Sequence, residues 1–158
     1  MQSKAPQNFS STDDTVRAAE AFFANAAAAC RQRGERESGA WDREFLRHTT
    51  DACEILVKAL GQIREDGSDK VMKQWQQYAP EQSLPSPEAA EALRTEPTSI
   101  VDLLAELQAL AERFAEYHRA LEAHARTPEA EEFHQSYREV IERFRRDLNS
   151  AYQRGQDM

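Results

Sequence analysis

Three side chains in the last third of the chain come nearest to a chemical constellation: His118, Glu122 and His134. His118 and Glu122 are one helical turn apart and share a face. If the segment folds back near Thr127, His134 comes to lie across from Leu121. Two imidazoles and one carboxylate then meet, a nitrogen and oxygen donor set that suits a small metal site. The competing reading of the same three residues is a polar flank at the end of a helical hairpin. His48 lies on an apolar stripe with Glu44 one turn before it. It reads as a core histidine with a satisfied hydrogen bond, or as a ligand or base held by Glu44. His124 is expected at the solvent. Cys30 and Cys53 lack the spacing of a paired metal motif. Cys30 falls on an apolar stripe. A hairpin in the first third puts it near the turn and Cys53 well away, so two reduced thiols are expected rather than a disulfide. Glycine-rich phosphate loops, a nucleophile elbow and the paired-histidine zinc motif are all missing from the sequence. The many Glu/Arg pairs, such as Glu139 with Arg143, read as solvated helix faces.

The elements that must carry these residues are helices. From Ser99 to Tyr152, Ile100, Leu103, Leu104, Leu107, Leu110, Ala111, Phe114, Tyr117, Leu121 and Ala125 recur at steps of three and four. After the turn at Ala125-Arg126-Thr127-Pro128 the pattern resumes with Phe133, Tyr137, Val140, Ile141, Phe144, Leu148, Ala151 and Tyr152. Thr127 is placed as a helix cap, Pro128 takes the first helical position, and Glu129, Glu131 and Glu132 fill the first turn. Two such stripes do not bury each other fully, so the hairpin needs further helices.

The first part of the chain supplies them. Residues 1–10 read as a tail. A helix begins at Ser11 or Thr12 with the stripe Val16, Ala19, Phe22, Phe23, Ala26, Ala27 and Cys30. Residues 32–38, with Gly34, read as its turn. Ser38 then caps a second helix carrying Trp41, Phe45, His48, Ala52, Ile55, Leu56, Ala59, Leu60 and Ile63, which ends near Asp66-Gly67. A short helix over Ser68–Tyr78, with Trp75 and Tyr78 packed inward, and a further helical piece over Pro87–Arg94 lie in the proline-punctuated connection 67–98. The run Ala26-Ala27-Ala28-Ala29 beside the adjacent Phe22 and Phe23 suggests a second apolar surface, and a homodimer is the expected way to cover it. The C-terminal residues 153–158 are expected to fray.

The chain of 158 residues carries a formal net charge of −8. A nucleic-acid-binding domain is usually basic, and no apolar run reaches membrane-spanning length. The N-terminus lacks a hydrophobic signal region, so a cytoplasmic protein is expected. Only five glycines, many alanines and glutamates, and little β-branched content favour an all-α chain. The two hairpins also echo each other: Ala19-Glu20-x-Phe22 lies over Ala111-Glu112-x-Phe114, Trp41 over Phe133, and Leu56 over Leu148.

Ala111-Glu112-Arg113-Phe114-Ala115-Glu116-Tyr117, then Thr127-Pro128-Glu129-Ala130-Glu131-Glu132-Phe133, Tyr137 and Glu142 resemble a rubrerythrin-type, ferritin-like hairpin. The resemblance covers the second hairpin directly and the first through the echo. It implies two helical hairpins and, in the family, a di-iron centre. Glu20 and Glu112 correspond to the single glutamates of such a centre, and Glu54 and Glu142 to carboxylates on the second and fourth helices. Those two helices are each expected to carry Glu-x-x-His near the middle, and neither does. The single Glu-x-x-His in the chain, Glu131 to His134, opens the fourth helix instead.

The expected fold is all-α: a four-helix up-down bundle of two helical hairpins, ferritin-like, over residues 11–152, with the helical crossing segment 67–98. The leading functional expectation is a non-enzymatic module that self-associates as a homodimer or binds a protein partner, with no catalytic residues and no cofactor. The alternative is a divergent ferritin-like oxidoreductase holding iron or manganese through His118, Glu122 and His134, or through Glu20, Glu54, Glu112 and Glu142.

Overall fold

A computed structural model describes residues 11–74 and 84–156. The described chain is all-helical, with no strand: α1 (Thr12–Arg36), α2 (Ala40–Asp66), α3 (Asp69–Met72), a 3-10 helix (Pro87–Arg94), α4 (Ile100–Ala123) and α5 (Pro128–Gln156). Local chemistry sets most of the boundaries. Ser11 and Asp14 form a reciprocal capping box at the start of α1. The hydroxyls of Ser68, Ser99 and Thr127 accept from the backbone N–H three residues on, at Val71, Asp102 and Ala130. Gly67 ends α2. Among the described residues no helix is long and apolar enough to cross a membrane.

Cross-helix contacts fix the directions. Arg64 reaches Glu20 and Arg31 reaches Glu54, so α1 and α2 are antiparallel. His118 meets His134 and Gln108 meets Arg145, so α4 and α5 are antiparallel as well. Tyr137 reaches Val16, and Phe23 packs on Phe144 further along both helices, so α5 runs the same way as α1. Trp41 packs on Tyr152, which brings the start of α2 to the end of α5. The connection from α2 to α4 therefore travels the length of the molecule. Its described parts lie beside α1 and advance in the same direction. Thr12 donates to the carbonyl of Gln74, Asn25 to that of Pro87, and Arg94 donates to Gln32. These three bonds share one sequence offset, 62 residues in each case.

The interior is layered by aromatic rings. In the middle, Phe22 and Phe23 of α1 meet Phe114 of α4 and Phe144 of α5, with ring centroids 5.0–5.6 Å apart. At one end Trp41 stacks on Phe45, and both meet Tyr152. At the other end His118, Phe133, His134 and Tyr137 cluster. Leucine and alanine fill the spaces between layers.

Several boundaries and faces differ from the sequence reading. α1 runs through Gly34 to Arg36, and the turn is confined to 37–39. Gly39, not Ser38, is the N-cap of α2 and makes no side-chain capping bond. His48 is exposed, not on the core stripe, and Ile55 is 68% exposed. The reason is that Thr49 and Thr50 take the inward positions. Their hydroxyls donate to the carbonyls of Phe45 and Leu46, one turn back, and are thereby satisfied within the core. The helix expected over Ser68–Tyr78 ends at Met72, while Trp75 and Tyr78 lie outside the described residues. The piece over Pro87–Arg94 is a 3-10 helix. α5 continues to Gln156 instead of fraying from Gln153. Gly155 makes this packing possible, since a Cβ there would sit 2.2 Å from the Trp41 indole nitrogen. The alanine-rich face of α1 is covered from within the chain. Phe22, Phe23, Ala26, Ala27 and Ala29 are buried, and the 3-10 helix lies along α1 with Ala90 and Leu93 buried.

Phe144 belongs to the central layer and is 6% exposed. Phe144→Ala is expected to destabilise the protein by about 3–5 kcal/mol, read as a shift in the urea midpoint. A loss under about 1 kcal/mol would mean that Phe144 carries little of the core.

Candidate functional site

His118 and His134 come together as the sequence suggested, and more deeply than expected. The capped start of α5 at Thr127 brings His134 in on its first turns, opposite the last turns of α4. The two Nδ1 atoms lie 3.0 Å apart, both rings are buried, and the His118 ring packs 4.5 Å from that of Tyr137. One Nδ1 carries the proton and the other accepts it. The His118 Nε2 is buried and has no hydrogen-bond partner. The Tyr137 hydroxyl donates to the carbonyl of Val16 at 3.0 Å and so ties the pair to α1.

Glu122 does not join them. Its carboxylate accepts from Arg138 at 3.0 Å, and Arg138 also binds Glu142. Arg119 links Glu142 to Glu116, which extends a charged ladder along the outside of the α4–α5 seam. Across that seam, therefore, His118 faces His134, while Arg138 reaches diagonally along it to Glu122. The four glutamates of the di-metal alternative are likewise each held by arginine. Glu20 binds Arg64 through both carboxylate oxygens, Glu54 binds Arg31, Glu112 binds Arg145, and Glu142 binds Arg119 and Arg138. Two lie on the α1–α2 hairpin and two on the α4–α5 hairpin, while the space at mid-height holds the phenylalanine layer. Among the described residues no group of three or more His, Cys, Asp or Glu side chains gathers at metal-binding range. Two open clefts, of about 560 and 600 Å³, lie elsewhere, and neither is lined by His118 or His134.

The electrostatics follow from burial. Desolvation holds His118 well below its ordinary value, with His134 adding to the shift, and it brings His134 down to about 4. Both imidazoles are neutral at pH 7. Burial pushes the Tyr137 hydroxyl well up, with Glu20 adding and Arg64 opposing. The result is a neutral hydrogen-bonded pair inside an aromatic cluster, with its polar atoms turned away from solvent.

One polar feature lies outside the sequence reading and a second departs from it. Arg33 is buried at the end of α1, with its Nε on Glu37 at 2.9 Å and its Nη1 without a partner. Its signal in the sequence is position: it continues the line Phe22, Ala26, Ala29 at helical spacing. Cys30 and Cys53 are both buried free thiols, and they are not far apart along the hairpin. They are the sequence neighbours of Arg31 and Glu54, which pair across the α1–α2 seam. The sequence reading set Cys30 near a turn at 32–38 and Cys53 well away from it, whereas α1 extends past Gly34 and the turn falls later, at 37–39.

The histidine pair makes the protein sensitive to acid. Well above pH 6.5 the folded and unfolded chains hold nearly equal numbers of protons on these rings. As the pH falls from 6.5 to about 4, the unfolded chain takes up protons that the buried rings refuse. Stability is expected to fall over that window, by up to about 1.4 kcal/mol per pH unit for each ring where the unfolded chain holds a full extra proton. Urea unfolding at pH 7 and pH 5 checks this. The chain with His118→Gln and His134→Gln should lose distinctly less between the two, and an equal loss would place the acid sensitivity elsewhere.

No family model, no curated protein and no solved structure matches this chain.

Proposed function

We propose that α1, α2, α4 and α5 compose a four-helix bundle of two hairpins in ferritin-like order, joined by the crossing segment along α1. We propose further that the chain is a non-enzymatic binding module of the cytoplasm, which docks a protein partner or a second copy of itself. One observation carries this reading. The middle of the helix assembly, where the ferritin-like resemblance puts a di-metal centre, is filled by a contiguous cluster in which Phe22, Phe23 and Phe114 touch one another and Phe144 packs on Phe23. The carboxylates that would line such a centre are neutralised by arginines instead. Free buried thiols agree with a reducing compartment.

The surface that motivated a homodimer, on α1, is covered by the 3-10 helix. The outer face of α2 is the better place for association. Ile55 stands 68% exposed there, among exposed Asp51, Glu54 and Lys58. An apolar centre within a charged rim is a common plan for a binding surface.

Elemental analysis of protein purified without chelator tests the non-enzymatic reading. Iron and manganese are expected far below one atom per chain, and a near-stoichiometric content would restore the oxidoreductase alternative. Sedimentation at micromolar concentration tests association. The native chain is expected to sediment as a dimer and Ile55→Glu as a monomer, and a dimer indifferent to that substitution would move the interface away from α2.

A further inference from the structure

Three buried groups with no role so far, Cys30, Cys53 and Arg33, belong to one level of the α1–α2 hairpin, close enough for Cys30 to feel the charge of Arg33 and Cys53 that of Cys30. Both cysteines are fully buried, on the inner side of the helices whose outer edge carries the Arg31–Glu54 pair. Arg33 is one turn beyond Cys30 on α1, and more than nine-tenths of its side chain is out of solvent. Its Nε is satisfied by Glu37, but Nη1 is a buried N–H donor with no acceptor. A buried donor left unpaired is costly. An anionic acceptor would satisfy it most strongly, and, with Glu37 already held by Nε, the groups on this level able to become anionic are the thiols. Burial works against this in the metal-free chain. It pushes the Cys30 thiol up to about 12, with Arg33 pulling back, and holds Cys53 well above its ordinary value, with Cys30 itself adding to the shift. The two thiols therefore oppose each other's ionisation, a conflict that a cation shared between them removes.

We propose that Cys30 and Cys53 are the two ligands of a buried site for a soft monovalent cation, Cu⁺ by its chemistry, with Arg33 as the counter-charge. Two sulfur donors match this ion. Thiolates select soft cations, while structural zinc takes four ligands. On binding, two S–H bonds break and two S–Cu bonds form. The two protons pass to solvent, and no electron is transferred. The resulting bis-thiolate carries one negative charge, for which Arg33 Nη1 is the waiting donor.

The test uses the full chain, reduced and under anaerobic conditions, with Cu⁺ offered against a chromogenic chelator. About one Cu⁺ per chain is expected, together with an ultraviolet thiolate-to-copper absorption band and release of two protons per ion. Alkylation of both thiols in the unsubstituted protein should slow sharply once copper is bound, a measurement that needs no variant to fold. Cys30→Ala and Cys53→Ala should each abolish the band, while His134→Gln leaves it unchanged. Arg33→Met should hold copper about tenfold more weakly or worse. Alkylation unaffected by copper, or equal copper retention by the chain lacking both cysteines, would overturn the site. Equal affinity in Arg33→Met would overturn the counter-charge.

Discussion

The contact on which the rest of this structure depends is the meeting of four phenylalanines at mid-height. Phe22 and Phe23 stand on α1, Phe114 on α4 and Phe144 on α5, with neighbouring centroids 5.0–5.6 Å apart. Each hairpin alone leaves one apolar stripe facing water, and neither can close its own core. The phenylalanines join the two stripes, and edge-to-face and tilted ring geometries add about 0.5–1.5 kcal/mol per pair to the burial of their area. The same contact governs function. A cluster of rings at the centre leaves no polar lining there, so chemistry is displaced to the surfaces and to the small polar groups between layers. His118 with His134 is one such group, and Cys30, Cys53 and Arg33 are another.

The second constraint is the route of the chain between the hairpins. α2 finishes near the start of α5, as the approach of Gly67 to the Phe133 ring marks. α4 begins at the opposite end. The connection must cross that length, and α1 serves as its track. Asn25 and Gln32 supply polar contacts at matched offsets, and Ala90 and Leu93 bury against the small-residue side of α1. Alanines at 26, 27 and 29 therefore suit a neighbour within the same chain. Without large side chains there, a 3-10 helix, with poorer hydrogen-bond geometry than an α-helix, can lie close enough to exclude water.

The long helices, and those of their ends that local chemistry sets, were legible in the sequence. Serine or threonine at Ser11, Ser99 and Thr127, a proline at the first position of α5 and a glycine after Asp66 each act on their own neighbours. The stripes of α4 and α5 were legible for the same reason. What the periodicity did not determine was rotation and level. His48 and Ile55 fit an apolar line in α2, but Thr49 and Thr50 displaced them by satisfying their hydroxyls on carbonyls one turn back. The cysteines were separated by counting from a turn placed too early, and their common level depends on where α1 stops. Of the candidate metal ligands, the two histidines were correctly brought together. Glu122 went to Arg138, a choice set by a side chain on the facing helix that spacing along α4 does not reveal.

The central claim is that the two hairpins are coupled through these rings. A double-mutant cycle on Phe23 and Phe144, replacing each by leucine singly and together, measures that coupling directly through urea unfolding. A coupling of about 0.5–1.5 kcal/mol is predicted, since the two rings meet edge to face at 5.6 Å. Strictly additive losses, with a coupling near zero, would contradict the account.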